Sequence, residues 1–384
     1  MICFDRFSLS GARPAGKNIR RLPDRISIFD SPSPGLWRAI YNMTQTINLL
    51  SDTITRPTAG MLEAMWAAEV GDDVFREDPS VNALEEKCAA LFGHEAALFS
   101  PSGTMANQIA LKVHTRPLDE VICDEMSHIY QYEVGGYAFH SGIAVNLLKG
   151  ENGILDAGMV EAAIKPRYDW LPKSSLVVIE NTCNKGGGSI YSLERIRAIR
   201  AVCNQHTLAL HLDGARVFNA LVETGDTPAA IGAETHSISL CLSKGLGAPV
   251  GSVLIGGEAF IKEARRIRKV MGGGMRQAGY LAAAGIYALD HHVERLRDDH
   301  RHARALADAL SALPYATRIR PVQTNIVIFD LVAPHTPAGF LEYLGRHHIK
   351  ASAFGPQTIR FVTHLDVGSD MIGRAIEVLR RYAV

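Results

Sequence analysis

From residue 56 onward, short apolar runs alternate with amphipathic stretches. Residues 57–69 predict a helix with Met61, Met65 and Ala68 on one face, and residues 81–92 predict a second that stops at Gly93. Residues 96–100 read as a strand feeding a helix over 105–113. Further strands are predicted at 120–123, 176–180, 208–212, 237–242 and 252–255, with a helix over 192–205 among them. These strands are apolar at consecutive positions, so both faces are expected to be covered. Strands of that kind alternating with helices predict an α/β fold around a mostly parallel sheet. A long helical stretch over 279–313 then leads to a tail that reads strand (324–329), helix (337–347), strand (358–362), helix (369–382). The expected organisation is a large domain over 43–290 and a small C-terminal α+β domain over 291–384.

Residues 1–42 break this pattern. They carry no sustained period, several prolines and serines, and seven basic against three acidic residues. Three acids argue against a transit-type leader, so the stretch is read as a disordered or upstream extension whose removal should not matter. The 384 residues as a whole hold 40 basic and 40 acidic side chains, which leaves 33 against 37 for the patterned part. That balance excludes a protein that works mainly through a basic, nucleic-acid-binding face. No apolar run approaches the roughly 20 residues of a membrane helix. Six cysteines (Cys3, Cys88, Cys123, Cys183, Cys203, Cys241) lie scattered without CxxC pairs. In a chain this long they read as reduced thiols of a cytoplasmic protein, and no metal site is expected.

Candidate chemistry concentrates where strands end. Lys244 follows an apolar strand in Ser243-Lys-Gly-Leu-Gly247, with small neighbours that leave room for a bulky group. A lysine at the mouth of a buried strand loses hydration, which favours the neutral amine needed for a Schiff base. Asp213 ends another apolar run, in Leu208-Ala-Leu-His-Leu-Asp-Gly-Ala-Arg216. Open α/β sheets bind ligands at the carboxyl ends of strands, so Asp213 and Lys244 are expected to share a crevice. There an aspartate can hold a pyridinium nitrogen protonated; a helix cap or a salt bridge to Arg216 is the plainer role. Ser102, Gly103 and Thr104 turn a strand directly into a helix, which directs free N–H groups outward as an anion cradle. His128 lies just past a strand end, where an imidazole can stack on a flat ring. The glycine run at 272–274 delivers Arg276. Arg360 lies within a strand of the tail, where only a paired arginine is tolerated: a substrate carboxylate or a structural acid would serve.

Taken together and in order, these segments resemble the threonine aldolases, in the beta-eliminating lyase group of pyridoxal-phosphate enzymes. The likeness is carried by Leu50-Ser-Asp-Thr-Ile-Thr-Arg-Pro57, Gly71-Asp-Asp-Val74, Asp78-Pro-Ser-Val-Asn82 and Pro101-Ser-Gly-Thr104. It continues through His211-Leu-Asp-Gly-Ala-Arg216, Leu242-Ser-Lys-Gly-Leu-Gly247, Gly272-Gly-Gly-Met-Arg-Gln277 and Arg360-Phe-Val-Thr-His-Leu-Asp366. The resemblance implies the aspartate aminotransferase-like fold and pyridoxal 5'-phosphate as cofactor. It implies that Lys244 forms the internal aldimine, that Asp213 pairs with the ring nitrogen and that Ser102, Gly103 and Thr104 hold the phosphate. His128 would stack on the ring and Arg216 would support the cofactor face. Ser51, Arg216 and Arg360 would meet the substrate carboxylate, and Lys269 and Arg276 would reach a neighbouring subunit's site in a homodimer or homotetramer. The implied reaction is retro-aldol cleavage of L-threonine or L-allo-threonine to glycine and acetaldehyde.

The chain departs from the family pattern in three places. A histidine common before the Ile-Glu-Asn-Thr strand is absent near Trp170, Glu-Asn-Thr-His-Asn reads Glu180-Asn-Thr-Cys183-Asn, and a common tyrosine is Phe75. These leave open whether His128 or a water near the phosphate takes the hydroxyl proton. Two other functions stay in view. One is a pyridoxal-phosphate β-eliminase or racemase on another small amino acid. The other is a non-catalytic cofactor binder, against which Lys244 and Arg360 both count.

Overall fold

Uninterrupted apolar runs become the central strands, because a chain buried on both faces tolerates a charged side chain only where it finds a partner. The computed structural model describes residues 46–382; the reading of 1–42 as an extension lies outside the described residues. After a short β1 (Ile47–Asn48), seven strands build one sheet: β2 (Ala96–Ser100), β3 (Asp119–Asp124), β4 (Ala144–Leu148), β5 (Lys173–Glu180), β6 (Ala209–Gly214), β7 (Ser237–Cys241) and β8 (Ser252–Gly256). Their order is β2-β8-β7-β6-β5-β3-β4. All pairs from β7 to β4 are parallel, whereas β8 is antiparallel to both β7 and β2. The sheet is mostly parallel, as expected, and the link explains the one strand that is not. Residues 242–251 join β7 to β8 without a crossover helix, and a parallel return needs a dozen or more residues.

Alternate residues of each strand feed opposite cores, as the two-residue period requires. Val177, Ile179, Leu210, Leu212, Ile238 and Leu240 pack with helices Pro79–Phe92, Leu193–His206 and Gly279–His291. Leu176, Val178, Val121 and Cys123 pack on the other side with Leu111 and Ile129. Strand β4 was not predicted. It is a sheet edge and no residue in it is fully buried, so it shows no apolar run.

The single helical stretch expected over 279–313 is two helices, Gly279–His291 and Leu296–Ser311. No glycine or proline marks the break. It falls where the His292 ring hydrogen-bonds the Leu246 carbonyl through Nδ1 at 2.7 Å, a tertiary contact to the Lys244 loop. The first helix belongs to the core of the large sheet; the second starts there with Leu296 and then packs Ala303, Leu306 and Leu310 into a separate core. That second core holds Leu306, Phe329, Phe340, Phe361 and Leu379. Its strands are β9 (Ala316–Thr317), β10 (Ile326–Leu331), β11 (Ile349–Lys350), β12 (Ser352–Ala353) and β13 (Thr358–Val362). Four of them form an antiparallel sheet ordered β12-β13-β10-β9. β1 pairs in parallel with β11, which ties residues 47–48 to the tail. Among the described residues, no helix is long and apolar enough to cross a membrane, and Cys88, Cys123, Cys183, Cys203 and Cys241 are free and buried.

Candidate active site

Parallel strands β3, β5 and β6 run to their ends side by side, and each ends near an acid: Asp124, Glu180 and Asp213. Beside Asp213 a cavity of about 240 Å³ opens. It gathers Ser102, Gly103, Thr104, His128, Asp213 and Lys244, which lie far apart in sequence, and its wall also includes Thr53 and Asn107.

Lys244 sits three residues past β7, in a turn whose closure is visible in its carbonyl. That oxygen accepts from Gly247 N at 2.8 Å and from Thr55 Oγ1 at 2.9 Å. Gly247 has φ +79°, which only glycine adopts without strain. Asp213 is buried at the end of β6. Its Oδ1 accepts from Ala215 N at 3.1 Å and its Oδ2 from Asn107 Nδ2 at 2.9 Å. Helix Gly103–His114 begins at the cavity, and Ser102 caps it by accepting from Met105 N at 3.2 Å. The N–H groups of Gly103 and Thr104 belong to the first turn, which has no intrahelical partners, so they remain available to an anion.

His128 is held from two sides. Its backbone N–H donates to Glu180 Oε2 at 2.8 Å, and its Nδ1 hydrogen-bonds Glu133 Oε1 at 2.9 Å. Glu133 is buried, and it also accepts from Asn107 Nδ2 at 2.9 Å and Gln108 Nε2 at 2.6 Å. Burial alone would lower the His128 pKa. The Glu133 hydrogen bond and the charges of Asp213 and Glu133 outweigh it and raise the pKa above the ordinary histidine value. Burial, reinforced by the charge of Asp213, pushes Glu180 up to about 7. Among the described residues, one histidine–acid group has ligand atoms close enough to hold a metal ion, namely His128, Glu133 and Asp213. Hydrogen bonds from Asn107 and His128 account for that closeness.

Five of the expected residues do not line the cavity. Arg216 is buried in a bidentate pair with Asp52, at 2.7 Å from Nε to Oδ2 and 2.6 Å from Nη2 to Oδ1. Burial would raise the Asp52 pKa, but Arg216, with help from Lys244 and Asn325, holds it down at about 2. Ser51 caps the next turn by accepting from Thr53 N at 3.2 Å and lies beside the cavity through Thr53. Arg360 donates from Nη1 to Asn184 Oδ1 at 2.9 Å and from Nη2 to the Leu50 carbonyl at 3.0 Å, and its ring-side neighbour is Phe354. Its Nε is buried without a protein partner. Burial, then the nearby Arg216 charge, lowers its pKa. Arg276 is exposed and donates to Asp72 Oδ2 at 2.6 Å; Lys269 is exposed at the end of helix Glu258–Val270.

Sequence reading did not single out Asp52, Asn107, Glu133 or Glu180. Glu180 carries the signal that revealed Asp213, an acid ending an apolar strand. The other three are visible only through partners distant in the chain.

Residues 48–334 match the beta-eliminating lyase family. The low specificity L-threonine aldolase of Escherichia coli K12 is 42% identical over 327 residues, covering 85% of this chain and 96% of its own. An uncharacterized protein of Caenorhabditis elegans is 36% identical over 392 residues, covering 99% of this chain, so that alignment reaches into residues 1–42. Among solved structures, a Leishmania major threonine aldolase superposes with a TM-score of 0.76 at 23% identity, over 87% of this chain and 99% of that one. A fold and a strand-end cavity of this kind, joined to similarity across most of the length of each relative, place the chain in the beta-eliminating lyase family, on its threonine aldolase branch.

Proposed function

We propose that this chain is a pyridoxal-phosphate-dependent carbon–carbon lyase that cleaves L-threonine, L-allo-threonine and related β-hydroxy-α-amino acids to glycine and an aldehyde. The observation that carries the proposal is the convergence of Lys244, Asp213 and the start of helix Gly103–His114 on one cavity. Those residues fit the cofactor: an amine, a buried carboxylate with both oxygens already oriented, and a helix N-terminus for a phosphate. Ser100 Oγ and Ser252 Oγ, buried without protein partners beside that helix start, leave further polar atoms for an oxygen-rich group.

When bound, pyridoxal phosphate supplies an electron sink for the pair released from a bond at the amino acid's α-carbon. The remaining work falls to side chains of this protein. Lys244 is the amine that holds the cofactor. Asp213, an acceptor fixed by Ala215 and Asn107, suits a protonated ring nitrogen. The first-turn N–H groups and Ser102 bind the phosphate. Arg360, with an unpartnered Nε and a second cation nearby, supplies charge for the substrate carboxylate and so orients the bond to be broken. His128 donates Nδ1–H to Glu133, which leaves Nε2 as the basic atom of its neutral ring, suited to take the hydroxyl proton.

Two predictions arise from these roles. Glu133→Gln removes the charge that raises the His128 pKa, so neutral imidazole persists to lower pH. The acidic limb of kcat/KM against pH should move to lower pH; an unmoved limb would assign the proton to another group, such as a water near the phosphate. Arg360→Lys keeps a charge but loses the planar fork. KM for threonine should rise about 10- to 100-fold, the range of one to two charged hydrogen bonds, with a smaller change in kcat.

The direct test is purification followed by absorbance and aldehyde assay. A yellow protein, bleached by borohydride, that releases acetaldehyde from L-threonine or L-allo-threonine supports the assignment. A colourless protein with no affinity for pyridoxal phosphate would reject it, and cofactor binding without aldehyde would favour elimination or racemisation. We further read the chain as cytoplasmic and as a homodimer or homotetramer in which Lys269 and Arg276, outside their own cavity, serve the neighbouring one. Exposed Trp66, Phe75, Val270 and Tyr280 support such a contact. The two cores support a large cofactor domain within 43–290 and a small one within 291–384, except that Ile47 and Leu49 pack in the small core and Leu296 in the large one.

A further inference from the structure

Behind Asp213 a line of polar side chains runs away from the cavity through the protein interior. Asn107 Nδ2 lies 2.9 Å from Asp213 Oδ2 and 2.9 Å from Glu133 Oε1. Its Oδ1 lies 2.6 Å from Ser239 Oγ and 3.2 Å from His211 Nε2. His211 Nδ1 is 2.8 Å from Ser237 Oγ, which is 2.7 Å from His114 Nε2. Asn107, His211, Ser237 and Ser239 are buried, and the His114 ring stacks on Phe260 with centroids 4.5 Å apart.

Donor and acceptor chemistry then assigns each proton. Ionised carboxylates only accept, so the Asn107 nitrogen must face Asp213 and Glu133 and its oxygen must face the other way. An amide oxygen only accepts, so His211 carries its proton on Nε2. The neutral ring then accepts at Nδ1, and the one hydroxyl hydrogen of Ser237 fills that site. The Ser237 oxygen in turn accepts from His114, whose proton is therefore also on Nε2. Both rings are neutral: burial pushes His211 down to about 4 and His114 down to about 3.

We propose that His114, Ser237 and His211 are positioning residues forming a one-way hydrogen-bond line, which locks the Asn107 amide with both N–H bonds on Asp213 and Glu133. Every donor points toward the cavity, so Asp213 is kept as an ionised acceptor for a protonated ring nitrogen. Were His211 to take its other tautomer, a lone pair would face Asn107 Oδ1. The amide oxygen would lose one of its two donors and be held by Ser239 alone, which loosens the grip of its N–H bonds on the two carboxylates. The proton assignment stands on its own; the benefit to a ring nitrogen rests on the cofactor reading above.

Ser237→Ala tests the line, because it removes the hydroxyl that donates to His211 Nδ1 and accepts from His114 Nε2. In apoenzyme titrations, Kd for pyridoxal phosphate should rise about tenfold, as for one charged hydrogen bond. Kd for the 1-deaza analogue, whose ring nitrogen is a C–H, should stay unchanged. Ser237→Thr, which restores a hydroxyl, should return the wild-type value. Equal losses for both ligands, or no loss for either, would overturn the proposal. Long-range 1H–15N spectra of histidine-labelled wild-type apoenzyme give an arm that needs no cofactor: both buried rings should show Nε2–H. A His211 ring protonated on Nδ1 would overturn the line whatever the cofactor does. A wild-type chain that shows both Nε2–H rings yet binds no pyridoxal phosphate would leave the line standing and reject the cofactor reading.

Discussion

Lys244→Ala should abolish aldehyde release from threonine while leaving the protein folded. The amine is the one group in the cavity able to hold a carbonyl cofactor covalently, and no neighbour duplicates it: Ser243, Cys241 and Thr53 contribute hydroxyls or a thiol, not an amine. The visible absorbance that borohydride bleaches should disappear with the amine. Folding should be spared, because the turn is closed through the Lys244 backbone carbonyl rather than the side chain. The checks are aldehyde assay, absorbance after pyridoxal-phosphate addition, and urea midpoint. Retained turnover and colour would remove Lys244 from the chemistry; a lost fold would give the side chain a structural role instead.

Asp52→Asn is expected to be the most damaging single change to stability. Asp52 and Arg216 are both buried and meet through two short hydrogen bonds, so removing the carboxylate strands a guanidinium in the interior. Breaking one half of such a pair costs about 3–5 kcal/mol. The same pair has a pH signature with a definite sign. The folded pKa of Asp52, about 2, lies below its ordinary value of 3.8. Its contribution is therefore complete above about pH 4 and is lost as pH falls through 2; the shift corresponds to about 2 kcal/mol. Urea unfolding at neutral pH should separate wild type from variant by a wide gap in midpoint, and that gap should narrow as pH drops from 4 toward 2. A constant gap across that range would show that the variant's loss comes from packing rather than from charge.

Much of the site is legible before folding because each feature is local. Lys244 and Asp213 end apolar strands, and the cradle at Ser102 is a strand turning into a helix; both signals span fewer than about ten residues, the scale on which side-chain periodicity operates. Residues whose roles depend on distant partners are not legible in that way. Asp52 reads as one more acid in a polar stretch until Arg216, 164 residues later, is placed on it. Glu133 reads as a helix or loop acid until Asn107, Gln108 and His128 close around it. Arg216 is the converse case: the family resemblance implies the cofactor face, and the structure gives the Nε–Nη2 edge of its guanidinium to Asp52.

By itself the sequence determined the alternation of buried strands and helices, the strand ends that carry Lys244 and Asp213, and family membership through ordered short motifs. Burial on both faces of a strand leaves an imprint at every position, and so does a glycine-flanked turn. Only the tertiary structure decided the antiparallel direction of β8, the break near His292, the edge strand β4 and the polar line from His114 to Asp213. Each of these depends on contacts between segments far apart in the chain. Such contacts are set by link length, sheet position and hydrogen-bond polarity, which no local pattern of apolar and polar residues encodes.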